Sequence, residues 1–464
     1  MKSVFYKNLI FFLIFSLASI LRLKYFNDGM WADEWGSFYV SNPNLSFYKN
    51  YENIISIEGG SPLYFILLRL WHFFLGYHYE ISEFFSYIFG VGLIFLLWIF
   101  SKQIFDNNYY RLFVLLLISL NPFLIYYSGE VRFYSCFVFF VILNIIFFLR
   151  FFKKNFITNK YTILYCLSSL LMISTHLFGF LVLFSQFIFV LLKKKISLNF
   201  LFNLFVCTLI YLILNFDYLF SLQDKYHAVK SDLSISFFIG LFFNIFFGNK
   251  ILGAVIILLF YYFIIFFRKE IFLHNIGLVT FIIFLTYLLP LLQSIFSGSV
   301  LRARYIIFLV PLIIVWITYF ISKLPNYYIK NFLFLLITIL SFYSVFFSKL
   351  PYIEKKPNLT DAYKKIYNTG VLTVHTENDN KSYDWYENYY ANTFSSKKFN
   401  INFISGLKYL EFKEFWTVCL NNPSFKTNVK ADDPNCFINK FSDFFAVKYI
   451  FQSSEQVFTL YSKK

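Results

Sequence analysis

Phe137-Val138-Phe139-Phe140-Val141-Ile142-Leu143-Asn144-Ile145-Ile146-Phe147-Phe148-Leu149-Arg150-Phe151-Phe152-Lys153-Lys154 is an apolar run closed by a basic cluster. It forms most of a candidate membrane span over 133–150, because about 20 mostly apolar residues suffice for a helix to cross the hydrocarbon core. The pattern recurs, with Lys193-Lys194-Lys195 and Arg268-Lys269 closing other runs. Over 464 residues the chain is 59% hydrophobic and 14% charged, with a mean hydropathy of +0.61. Soluble domains are about 45–50% apolar and about 25% charged. These features predict a polytopic α-helical membrane protein.

The net charge of +16 would suit a nucleic-acid partner. The lysines, however, cluster between apolar runs, which is how basic residues hold loops in the cytoplasm. No nucleic acid is expected. The excess of Phe, Ile, Asn, Lys and Tyr fits an AT-rich coding sequence and carries no functional weight. Lys2 and Lys7 ahead of the run Leu9 to Leu21 resemble a signal peptide, but no small-residue cleavage site follows. A retained first span is expected.

Spans are expected over 4–23, 83–101, 111–127, 133–150, 161–177, 179–192, 199–219, 251–267, 272–292, 305–321 and 330–348. The stretches 62–76 and 236–247 are too short to cross and read as interfacial or re-entrant. With the N-terminus inside and 62–76 lying at the outer surface, the Lys- and Arg-rich loops all fall in the cytoplasm, as the positive-inside rule favours. Segments 24–60, 128–132, 220–250 and 293–304 then face outward. After Lys349 the sequence turns polar, so the organisation expected is a transmembrane domain over 1–349 and an outer α/β domain over 350–464. In the latter, 370–376 and 415–420 read as strands, 360–368 and 383–392 as helices. Cys136, Cys166 and Cys207 lie in spans and read as small apolar residues. Cys419 and Cys436 could pair as a disulfide if the compartment is oxidising.

The outward polar groups come from distant parts of the chain. They are Asp33 and Glu34 between Trp31 and Trp35, Glu130, Arg132 and Tyr134 in the third outer segment, His176 between two spans, and Arg302, Arg304 and Tyr305 at a span mouth. Each has a plainer reading: a solvated acid pair, a structural Glu130–Arg132 ion pair, a packing histidine, interfacial arginines. Ionisable groups inside a membrane cost about 2.5–3.5 kcal/mol each, which favours a purpose. The spans read as apolar through their middles, with polar groups at one face.

Leu21-Arg22-Leu23 through Trp31-Ala32-Asp33-Glu34-Trp35 resembles the first-loop acidic motif of the GT-C glycosyltransferases, in the bacterial branch related to protein O-mannosyltransferases and aminoarabinose transferases. Ser61-Pro62-Leu63-Tyr64 through Trp71, Asn121-Pro122 through Tyr134, and Arg304-Tyr305 leading into Pro311 resemble the same branch in order and spacing. Where relatives commonly carry His-Pro-Pro-Leu, this chain has Gly60-Ser61-Pro62-Leu63. The resemblance implies a multi-pass enzyme of the bacterial inner membrane with its site facing the periplasm. Its donor would be a polyprenyl-phosphate sugar and its acceptor a glycan, lipid or protein. Asp33 would be the catalytic base with Glu34 beside it, and Tyr64, Glu130, Arg132, Tyr134, His176, Arg302, Arg304 and Tyr305 would bind substrate. No metal is carried over, and a divalent ion stays open. Other readings are a lipid-linked-oligosaccharide ligase or polymerase, a lipid-linked-sugar flippase, and a scaffold or receptor.

A carbohydrate on a lipid phosphate already carries a stable leaving group, so no nucleotide loop is needed, and the sequence has none. A carboxylate must take the acceptor proton, and guanidinium groups must meet charge growing on the phosphate. A single base with no covalent intermediate implies inversion.

Overall fold

The computed structural model describes residues 2–24, 26, 32–57, 61–157, 159–225, 240, 246–297, 301–347, 365–375, 402–404, 410–420, 445–453 and 456–464. Its contacts divide the chain into two compact units. One is Met1–Phe26 with Gly36–Leu350, the other Asn27–Trp35 with Pro351–Lys464. The expected interfacial stretch 236–247 and the expected helix 383–392 lie largely or wholly outside the described residues, as do Trp31 and Cys436.

The first unit is helical. Three short helices follow the first helix: α2 (Ala32–Val40, which straddles the division), α3 (Phe47–Ile57) and α4 (Leu63–Leu75). The apolar helices are α1 (Lys2–Arg22), α5 (Tyr79–Ser101), α6 (Asn108–Ser119), α7 (Pro122–Gly129), α8 (Tyr134–Lys153), α9 (Asn159–Thr175), α10 (Gly179–Leu192) and α11 (Leu198–Leu214). A short α12 (Phe216–Lys225) precedes α13 (Lys250–Phe266), α14 (His274–Ser297), α15 (Leu309–Lys323) and α16 (Tyr327–Phe347). Among the described residues, four helices are long and apolar enough to cross a membrane, or five with one bent pair, and five more apolar helices are shorter. This is a multi-pass membrane architecture.

The single span expected over 111–127 is that bent pair. α6 and α7 meet at 58°, and the cause is local. Proline has no N–H and drives the preceding residue out of the helical region, so Asn121 is extended with ψ 115°. Its side chain then caps α7, accepting from the Leu124 N–H at 3.0 Å, while its amide donates to the Phe246 carbonyl at 2.8 Å.

α7 packs on α5 at Gly90, where a Cβ would collide with the Ser128 side chain. That close approach sets where the chain emerges at Glu130. Gly90→Ala should therefore destabilise by about 1–3 kcal/mol through overpacking, seen as a lower unfolding midpoint in detergent. Adding Ser128→Gly should recover most of it, since the next atom then lies at ordinary contact distance, 3.4 Å.

The spans are not apolar through their middles. Near the centres of α8, α9 and α10, Tyr165 donates to Gln186 at 2.7 Å, Gln186 to Asn144 at 2.6 Å, and Asn144 to Ser169 at 2.9 Å. All four are fully buried. Amides satisfied in this way act as interhelical glue in a medium that offers no water. Arg22 is also fully buried. Its guanidinium donates to Ala18 O at 3.1 Å and reaches Ile118 O at 3.5 Å. It thus lies at the C-terminal, electronegative ends of both α1 and α6, where a cation is stabilised.

The second unit contains a five-stranded sheet in the order β2-β1-β3-β5-β4. The strands are β1 (Thr373–His375), β2 (Asn402–Ile404), β3 (Glu414–Leu420), β4 (Phe445–Ser453) and β5 (Gln456–Lys463). β1 runs parallel to β2 and β3, while β3, β5 and β4 pair antiparallel. Phe415, Phe445 and Tyr461 form its apolar core, with Phe415 and Tyr461 stacked at 5.6 Å.

Candidate functional site

α2 opens with Asp33 and Glu34 in its first turn, where the helix dipole favours carboxylates. Asp33 is half-buried and Glu34 fully buried. Helical spacing sets Ser37 one turn further along the same face as Asp33. Sequence reading overlooked Ser37, although its spacing from the acid was visible.

Ser37 is gripped from the turn between α7 and α8. Arg132 Nη1 donates to its Oγ at 2.9 Å. Arg132 is itself buried, lies over the Phe133 ring at 5.3 Å, and leaves a tight turn in which its N–H donates to Glu130 O at 2.7 Å. The turn exists because α7 ends at Gly129 and α8 begins at Tyr134. Five residues named from sequence converge here, since Tyr134 lies within electrostatic reach of Arg304, Arg132, Tyr305 and Glu130.

His176 closes the group. Its ring is 5.1 Å from Tyr305, 5.2 Å from Phe133 and 5.1 Å from Phe137. Burial first, then the nearby Arg132 charge, push its pKa down to about 3. The ring is therefore neutral at neutral pH. Nδ1 accepts from the Phe178 N–H at 3.1 Å, which leaves the single proton on Nε2.

Arg302 precedes, and Arg304 lies within, a 3-10 turn, Ala303–Ile306, leading into α15. Both are half-buried. Arg304 lies over the Tyr305 ring at 5.8 Å, and Tyr305 carries it toward His176. Arg302 makes the N-cap of the turn. Tyr64 is fully buried on α4, with its hydroxyl 2.9 Å from Ser86 Oγ on α5.

Among the described residues, no group of three or more His, Cys, Asp or Glu side chains converges as a metal centre would. Chemically, the convergence around Tyr134 offers cations and aromatic faces suited to a phosphate and a sugar ring.

No protein-family model matches the sequence, and no curated protein matches it significantly. Solved structures do. ArnT from Cupriavidus metallidurans bound to undecaprenyl phosphate superposes with a TM-score of 0.56 at 8% identity, covering 97% of each chain. The same protein in its apo state gives a TM-score of 0.57 at 8% identity, covering 99% of this chain and 98% of that one. The chain therefore shares the fold of ArnT, in line with the aminoarabinose-transferase resemblance read from the sequence.

Proposed function

We propose that this protein is an inverting glycosyltransferase that moves a sugar from a polyprenyl-phosphate donor to an acceptor hydroxyl at the outer face of the bacterial inner membrane. The observation that carries the reading is the near-full-length likeness to a structure holding undecaprenyl phosphate. The convergence of Arg132, Arg304, Glu130 and Tyr305 around Tyr134 supports it.

In this reading Asp33 takes the proton from the acceptor hydroxyl as that oxygen attacks the anomeric carbon. The bond to phosphate breaks as the new glycosidic bond forms, and Arg304 meets the charge left on the phosphate oxygen. The neutral His176 donates one hydrogen bond from Nε2, while Glu34 and Glu130 orient hydroxyls or hold Arg132. A flippase would need midplane polar groups open to its cargo, whereas the polar side chains at the centres of α8–α10 are bonded to one another.

Mass spectrometry of surface glycans from a deletion strain tests the reading. The mass of the missing unit names the sugar, and the affected fraction names the acceptor; an unchanged envelope glycan and lipid profile would reject it. Sidedness has its own test. Reporters fused after Lys153 and Lys194 should read cytoplasmic, and those after Asn50 and Lys398 external. A cytoplasmic reading after Lys398 overturns the outward-facing site.

A further inference from the structure

We propose that His72, which no motif singled out, is a positioning residue that holds the C-terminal part of α2 in register and so keeps Ser37 on Arg132. This rests on the reading of Arg132 as a substrate-binding residue.

α2 has nine residues. A helix so short is marginal by itself in any solvent that competes for its hydrogen bonds, so it depends on outside tethers. α4 and the turn after it supply a row of them. Tyr77 donates to Phe38 O at 3.1 Å, His72 Nδ1 lies 3.2 Å from Ser41 O, and Arg69 donates to Leu45 O at 2.8 Å. The Phe38 ring is stacked on Tyr77 at 4.0 Å and meets His72 edge-on at 5.5 Å. These grips fall on backbone carbonyls at and beyond the end of α2, so they hold the helix whatever its side chains do. Arg132 holds Ser37 from another part of the chain.

His72 is the part of this row whose chemistry is uniquely specified. It is 1% exposed and bridges two elements, since Nε2 lies 2.7 Å from Ser82 Oγ on α5. A carbonyl can only accept, so Nδ1 must carry a proton toward Ser41. Burial pushes the ring's pKa down to about 4. At neutral pH there is therefore one ring proton; placed on Nδ1 it meets Ser41 O, and the Ser82 hydroxyl, which also lies 3.1 Å from His78 O, then turns to donate to Nε2. The side chain that can replace it is then dictated. Asparagine sets an amide N–H close to where Nδ1–H stands. Glutamine reaches the Nε2 position and leaves Ser41 O unmet.

The test uses the purified full-length protein and strains complemented with each variant. His72→Asn, His72→Gln and His72→Phe are compared for amide exchange of residues 36–45, unfolding midpoint and the surface-glycan product. The Gln and Phe variants should exchange on the order of 10-fold faster in 36–45 and lose product about 10-fold or more, with global midpoints near wild type. The Asn variant should match wild type in both. Unchanged exchange in the Gln and Phe variants, or an Asn variant as impaired as Gln, overturns the assignment. Arg132→Gln is the control that separates the two ideas. If it keeps full product while exchange in the His72 variants follows the predicted order, the tether stands and the role of Arg132 fails.

Discussion

Asp33→Asn is expected to leave the protein folded and able to bind its donor while cutting turnover by about 10²–10⁴-fold, the usual worth of a general base. The substitution keeps size and hydrogen-bonding shape but cannot accept the acceptor's proton. Asp33 occupies the first turn of α2 and is half-buried, so it can be reached while being partly shielded from bulk water. Glu34, its fully buried neighbour, is not placed to substitute for it. The measurement is single-turnover transfer by purified protein in lipid, with donor binding followed separately. Near-normal transfer by the Asn variant would end the assignment.

Arg304→Lys is expected to lower turnover roughly 10–100-fold with a smaller effect on donor affinity. A lysine keeps the charge but loses the planar two-pronged contact with phosphate and the flat stacking surface. Arg304 stacks on Tyr305, which leads to His176 and the Tyr134 cluster. Arg302 stands at the N-cap of the 3-10 turn through its backbone carbonyl, which accepts from the Tyr305 N–H, and its side chain makes no cap bond, so Arg302→Lys should remain near wild type. Kinetics with donor varied distinguish the two. If both variants keep full turnover, the phosphate contact passes to Arg132.

Apolar periodicity was sufficient to read the helices, because hydropathy records burial in lipid directly. The break at Asn121-Pro122 was missed, because hydropathy averaging over 111–127 hides a local cue, a cap residue before a proline. The polar contacts within the spans were not legible. Asn144, Ser169 and Gln186 sit in strongly apolar runs, and only tertiary packing decides that they meet. The site divides the same way. Glu130, Arg132, Tyr134, His176, Arg304 and Tyr305 were named from their positions and family likeness, and the fold gathers them. Tyr64 was named on the same grounds, and its hydroxyl meets Ser86 on α5. Ser37 and His72 escaped because their roles are defined by partners 95 and 31 residues away. Nor did composition reveal that Asn27–Trp35 groups with the C-terminal unit.

The hydrogen-bonded set at the centres of α8, α9 and α10 also imposes an order on biosynthesis. Asn144 is made first, Ser169 follows 25 residues later, and Gln186 comes 42 residues after Asn144. At roughly 5–20 residues per second, the carboxamide oxygen of Asn144 waits about 2–8 s for its donor. Released into lipid alone, α8 would carry an unmet amide at its centre. The nascent helix is therefore better kept beside the insertion machinery until α10 arrives, so that the three helices leave it as one packet.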